Sequence, residues 1–202
     1  TPAASIVVDI ERSPSTSICF RCEVEQYSHR SARPIDRVIV AIEHSLIAGR
    51  QNKKIGLIVE GQAGLSWERW IHILHTAERL GFPSVFRSDH YVIGEYHSSI
   101  DLFLSFVVAA RETENIRFGS LVSPMTFRSP VDVERMSAQI NQLSNGRLML
   151  GIGAGWHKPE HDAYGIPFYS ERVRAERLEE AINVIKTCEG RVQLRTKVST
   201  SV

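Results

Sequence analysis

Cysteine, net charge and long apolar runs are all scarce in this sequence, and each scarcity closes off a class of function. Cys19, Cys22 and Cys188 are the only cysteines in 202 residues, too few and too unevenly spread for a disulfide framework. The 24 basic and 23 acidic residues leave a formal charge of +1, so nothing global draws the chain to nucleic acid or to an anionic membrane. The longest apolar run, Leu102 to Ala110, is broken by Ser105 and is far shorter than the ~20 residues of a membrane-spanning helix. No basic start, apolar run and cleavage site follow one another at the N-terminus. The chain begins at Thr1 rather than Met, which makes a natural start elsewhere the expectation. The expected compartment is the cytoplasm, and the expected partner is a small organic molecule, with no nucleic acid and no membrane.

A hydrophobic content of 43% is ordinary for a globular protein and suffices for a sizeable core. From Ile55 onward, short β-type runs alternate with longer helical patterns, the signature of a parallel α/β sheet. The first run is Ile55–Val59, followed by Trp67, Trp70, Ile71, Leu74 and Ala77 at helical spacing, with Ser66 as N-cap and Gly81 as stop. Ser84–Phe86 is the second strand and 100–110 its helix. Ile116–Val122 is the third strand, and Ser129-Pro130 then opens a helix through Val133, Met136, Ile140 and Leu143. Arg147–Gly153 is the fourth, followed by a helix from Ser170 that is expected to end at Gly190.

Strand starts at 55, 84, 116 and 147 are 29, 32 and 31 residues apart (84−55, 116−84, 147−116). An eight-unit βα barrel of ~250 residues spends roughly 31 on each unit, so four units correspond to half a barrel. An open doubly wound sheet would also accept four parallel strands. The expected organisation is an N-terminal extension over 1–53, a half-barrel over 54–190 and a tail over 191–202, either frayed or the start of a fifth strand. Within the extension, 6–10 and 18–24 have strand patterns, while Ile35, Val38, Ile39, Ile42 and Leu46 follow helical spacing. A half-barrel with two open sheet edges is expected to self-associate, most simply as a dimer.

Ligands of parallel α/β folds sit beyond the C-terminal ends of the strands. After the second strand, Asp89 and His90 are adjacent, and a carboxylate beside an imidazole is a general acid/base arrangement, with Asp89 expected to orient His90. After the third, Ser120–Arg128 combines hydroxyls with apolar bulk, a lining suited to a planar, largely apolar ring. After the fourth, the glycines of Gly151–Trp156 allow backbone to approach a ligand and Trp156 offers a flat wall. The glycine spacing is not a dinucleotide fingerprint, because His157, Lys158 and Pro159 follow where a helix would have to begin. Cys19 and Cys22 have zinc or redox spacing but no second pair. His72 and His75 read as a solvated helix face. Pro159 argues against a regular helix aligning His157 with His161, and Glu160 does not complete a metal site there. The mixed charges of 171–180 read as an exposed helix face.

Taken in order, Leu80–His90, Ser123–Pro130, Gln142–Arg147, Gly151–Trp156, Tyr164–Phe168 and Arg177–Glu180 resemble the luciferase-like monooxygenase family, over roughly residues 54 to 190. The runs Phe86–Tyr91 and Thr126–Arg128 are most similar to its branch dependent on coenzyme F420. The resemblance implies a (β/α)8 barrel, usually dimeric, that binds coenzyme F420 or, alternatively, FMN. It implies catalytic roles for His90 and Asp89, with His90 exchanging a proton. It also implies that Asp89, His90, Leu121, Val122, Ser123, Gly153, Ala154, Gly155 and Trp156 contact the cofactor, with a non-proline cis peptide between Leu121 and Val122. The implied activity is hydride transfer between cofactor and a small organic substrate. The alternatives are FMN-dependent monooxygenation with molecular oxygen, a non-catalytic flavin-binding protein, or an inactive truncated fragment. The phosphate-binding loops of such barrels follow strands seven and eight, beyond the residues present.

Overall fold

The computed structural model describes the backbone of residues 5–9, 22–24, 38–47, 50–97 and 99–198, and the side chains of 56–97 and 99–188. In chain order, β1 (Ser5–Asp9), β2 (Cys22–Val24), β3 (Val38–Ile47) and β4 (Arg50–Val59) precede α1 (Trp67–Arg79). Then come β5 (Ser84–Arg87), α2 (Leu102–Glu112), β6 (Arg117–Ser120), β7 (Ser123–Pro124) and α3 (Pro130–Leu143). β8 (Leu148–Gly153), α4 (Lys158–Tyr164) and α5 (Glu171–Val198) complete the order.

The four strands read from the repeat, β4, β5, β6 and β8, lie side by side and parallel. Each is followed by a helix, which is the arrangement of a half-barrel. The helices start and stop for local reasons. Ser66 Oγ accepts from the N–H of Arg69 at 3.3 Å at the start of α1, and Asp101 Oδ1 from that of Leu104 at 2.9 Å at the start of α2. Pro130 occupies the first turn of α3, where its missing N–H costs no helical bond. The core lies between sheet and helices, with Trp70, Leu74, Phe106 and Phe118 at 0% exposure. Burial of such side chains contributes roughly 1.5–3 kcal/mol each. Trp70 Nε1 also donates to the carbonyl of Ser105 at 2.8 Å, so its one polar atom is satisfied. A Cβ on Gly119 would overlap the Met149 carbonyl of the neighbouring strand.

The floor of this layer, at the N-terminal ends of the strands, is held by two charged groups. The Glu78 carboxylate accepts from the N–H groups of Glu114, Asn115 and Ile116 at 3.0, 2.6 and 3.0 Å. The Arg147 guanidinium donates to the carbonyls of Ala110, Thr113 and Ile116 at 2.9, 2.8 and 3.0 Å, and to Thr113 Oγ1 at 2.6 Å. Burial pushes the Glu78 carboxyl up, but the three N–H donors and Arg147 outweigh it, and its pKa ends below the ordinary value.

Three expectations are corrected. Of the segment with helical spacing at 35–46, Ile35 lies outside the described residues, and from Val38 it is the strand β3, antiparallel to β4 in register from Val38↔Val59 to Ile47↔Arg50. Its β-branched residues Val38, Ile39, Val40 and Ile42 favour a pleated surface, and a short apolar run does not separate the two periods. The helix after β8 does not stop at Gly190 but runs to Val198, in place of a frayed tail or fifth strand over those residues. Pro159 falls in the first turn of α4, where proline is tolerated, so it opens a helix that it had been expected to prevent. The strand pattern at 6–10 corresponds to β1, and that at 18–24 to β2 from Cys22 onward, with Cys19 outside the described residues. β1 pairs antiparallel with β8, and β3 with β4, so extension strands lie on both edges of the four-stranded parallel core. Among the described residues no helix is long and apolar enough to cross a membrane.

Candidate functional site

Where β5 ends, the chain stays extended, and successive side chains point to opposite sides. Arg87 turns into the fold, 1% exposed, and donates to Ser99 Oγ at 3.1 Å and to the Ile100 carbonyl at 3.2 Å. Burial pushes its pKa down to about 10 against the opposing fields of Asp89, Asp101 and Glu60. Asp89 is 4% exposed and accepts from Ser123 Oγ at 2.6 Å and from both terminal nitrogens of Arg128, one of them, Nη2, at 3.3 Å. His90 turns the other way. Its Nδ1 lies 3.0 Å from Glu160 Oε2, and its ring meets Trp156 edge-on at 5.7 Å between centroids.

The expected orienting pair of Asp89 and His90 is therefore corrected. Adjacent residues of an extended segment face apart, and the carboxylate that reaches the imidazole comes from α4, 70 positions later. Glu160, 1% exposed, also accepts from the N–H groups of Tyr91 and, at 2.9 Å, Val92. Burial alone would raise its pKa, but hydrogen bonds from His90 and the two N–H groups, with the His90 charge, hold it below the ordinary carboxylate value. Glu160 is thus ionised near neutral pH and acts only as an acceptor.

His90 opens onto a cleft of about 210 Å³ beyond the C-terminal ends of β6 and β8, whose lining includes Leu121, Val122, Gly153, Ala154, Gly155 and Trp156. Seven of the nine residues expected at the cofactor thus share one wall. The Leu121–Val122 peptide is cis. Asp89 and Ser123 are buried, do not line the cleft, and bond to each other behind it. Gly155 has φ +78°, and a Cβ there would lie 2.8 Å from Thr126 Oγ1, so the backbone turn itself requires glycine, whatever a ligand adds.

Pro124 and Phe127, from the 120–128 run read as a lining, also face the cleft, as do His157, Glu160 and His161, which had been weighed only as a metal pattern and set aside. His157 carries a buried Nε2 with no hydrogen-bond partner. His161, 1% exposed, is bonded through Nε2 to Thr126 Oγ1 at 2.8 Å and through Nδ1 to the His157 carbonyl at 2.9 Å. Arg174, inside the run read as an exposed helix face, is 8% exposed. Its Nε donates to the Gly155 carbonyl at 3.1 Å, and its guanidinium stacks 4.0 Å above the Phe168 ring, fixing the glycine loop. Proline two residues after His157 was the available signal for a helix that turns Glu160 and His161 inward.

Comparison with known proteins places this geometry. The family described as luciferase-like monooxygenase matches residues 52–199. The chain is 36% identical over 115 residues to an F420-dependent glucose-6-phosphate dehydrogenase of Intrasporangium calvum, covering 54% of this chain and 34% of that protein. It is 30% identical over 118 residues to a 4-hydroxyprotoasukamycin monooxygenase of Streptomyces nodosus subsp. asukaensis, covering 57% and 31%. Among solved structures, an F420-dependent secondary alcohol dehydrogenase bound to an F420-acetone adduct superposes with a TM-score of 0.58 at 23% identity, over 65% of this chain and 40% of that one. That likeness concerns the fold. The chain spans about a third of the length of these curated relatives. With the matched span covering most of the sequence and the half-barrel present, the chain belongs to the luciferase-like monooxygenase family.

Proposed function

We propose that the chain takes part in a hydride-transfer oxidoreductase that uses coenzyme F420 and a small organic substrate, with His90 exchanging the proton. The observation that carries this reading is the convergence of His90, the cis Leu121–Val122 peptide and Gly153–Trp156 on one cleft. The residues present fit a flavin-type ring. Leu121, Val122, Pro124, Phe127, Ala154 and Trp156 give apolar walls, while the unpartnered Nε2 of His157 and the His90 ring give polar contacts. At about 210 Å³ the cleft is smaller than the ~300–1,000 Å³ that encloses a drug-sized ligand, which suits a ring whose tail lies outside. When bound, the deazaflavin supplies the hydride-carrying centre. The chain supplies a planar support, an apolar surround that excludes water, and a histidine held at its edge by Glu160. FMN is the second reading, because the oxygenating constituent of a 3,6-diketocamphane monooxygenase, a protein of like fold, was solved with FMN bound. Absorbance titrations of the purified chain with F420 and with FMN test both: saturable perturbation of the F420 band is expected, FMN alone binding selects the second reading, and binding of neither removes both.

A further inference from the structure

Glu160 is tied to the loop after β5 by three donors. The N–H groups of Tyr91 and Val92 both reach Oε1, while His90 Nδ1 reaches Oε2. An ionised carboxylate only accepts, so the hydrogen in each of these bonds belongs to the other partner. For a neutral imidazole, hydrogen on Nδ1 leaves Nε2 as a bare acceptor. The neighbouring histidines do not compete for the carboxylate: His161 is engaged by Thr126 and the His157 carbonyl, and His157 meets His90 through ring contact at 6.1 Å.

We propose that Glu160 is a positioning residue that locks His90 in its Nδ1–H tautomer, leaving Nε2 as the atom that faces a ligand. This rests on the reading of His90 as the proton-exchanging group and adds to it an atom and a direction. Neutral His90 accepts at the cleft, so the ligand group opposite Nε2 is a hydrogen-bond donor, an O–H or an N–H. Glu160 lies at the cleft, but its two carboxylate oxygens are taken up by His90, Tyr91 and Val92.

The arrangement makes Glu160→Gln an inversion of the proton, beyond the loss of a charge. With the two backbone N–H groups holding the amide oxygen at the Oε1 position, the amide NH₂ takes the Oε2 position and donates to Nδ1. The His90 hydrogen must then move to Nε2. Long-range ¹H–¹⁵N spectra of the labelled full chain at pH 8, with the His90 ring assigned by its loss in His90→Gln, read this directly. The expected result is hydrogen on Nδ1 in the wild type and on Nε2 in Glu160→Gln. Hydrogen on Nε2 in the wild type, or the same tautomer in both proteins, overturns the proposal. If Glu160→Gln does not fold, the wild-type spectrum decides alone. No cofactor enters the measurement, so failure of the chain to bind F420 would remove the proposed function while leaving the tautomer result to stand or fall separately.

Discussion

Asp89→Asn separates a structural carboxylate from a catalytic one. Asp89 is 4% exposed and serves two cations: Arg128 directly, through both terminal nitrogens, and the buried Arg87 through space. Two unit charges ~4 Å apart attract by about 4 kcal/mol at an effective dielectric of ~20, and removing one partner of a buried pair costs ~3–5 kcal/mol because the other charge stays behind. The lower end applies, because Arg128 keeps Asp101 at 3.2 Å and its place over the Phe103 ring at 5.1 Å. Some 2–4 °C of melting temperature per kcal/mol for a chain of this size then gives a fall of roughly 6–12 °C. Thermal unfolding followed by circular dichroism is the assay. Asp101→Asn is the control, since that partner is 41% exposed and exposed pairs contribute ~1 kcal/mol or less. A melting temperature for Asp89→Asn within 2 °C of the wild type would show that the Asp89–Arg128 pair does not hold the site together.

Gly119→Ala places a methyl against the Met149 backbone carbonyl, which has no side chain to swing away; overpacking costs ~1–3 kcal/mol and sometimes more, and urea midpoints should fall accordingly. Glu160 has a folded pKa below its unfolded one, so its contribution is full above the unfolded value of ~4.3 and is lost as pH falls through the folded value. Urea midpoints of Glu160→Gln should therefore drop less between pH 5 and pH 3 than those of the wild type. In a form with F420-dependent turnover, His90→Asn is expected to lower kcat by ~10²–10⁴-fold with little change in cofactor affinity; unchanged kcat at saturating cofactor would move the proton to another group. Deleting residues 1–49 uncovers the β8 edge and the whole β4 edge, now paired with β1 and β3, and light scattering should report assemblies larger than those of the full chain.

The strands at 55, 84, 116 and 147 were legible because a parallel strand covered on both faces is a short continuous apolar run, and because glycine and capping residues punctuate the helices between. The cleft was legible for a related reason, since ligands collect beyond the C-terminal strand ends. Partnership was not. Asp89 and His90 are neighbours in the chain, yet they serve opposite sides of the sheet end, and each finds its partner at a distance, Arg128 39 positions away and Glu160 70 positions away. Charge pattern alone marked Arg174 as a surface residue, because periodicity reports which face of a helix is apolar and not which cation is drawn under a glycine loop. In the extension, β-branched residues at helical spacing left two periods in competition, and pairing with β4 decided between them.

The two charged groups under the sheet divide the molecule kinetically. Glu78 and Arg147 tie the ends of α1, α2 and β6 to the start of β8 through bonds that close on one another and reach no ligand. Amide hydrogens of the wholly buried strands β5 and β8 are expected to exchange with solvent more slowly than those of Tyr91 and Val92, which depend on one carboxylate from a single short helix. On that expectation, the loops above the cleft tolerate changes by mutation that the sheet beneath them does not.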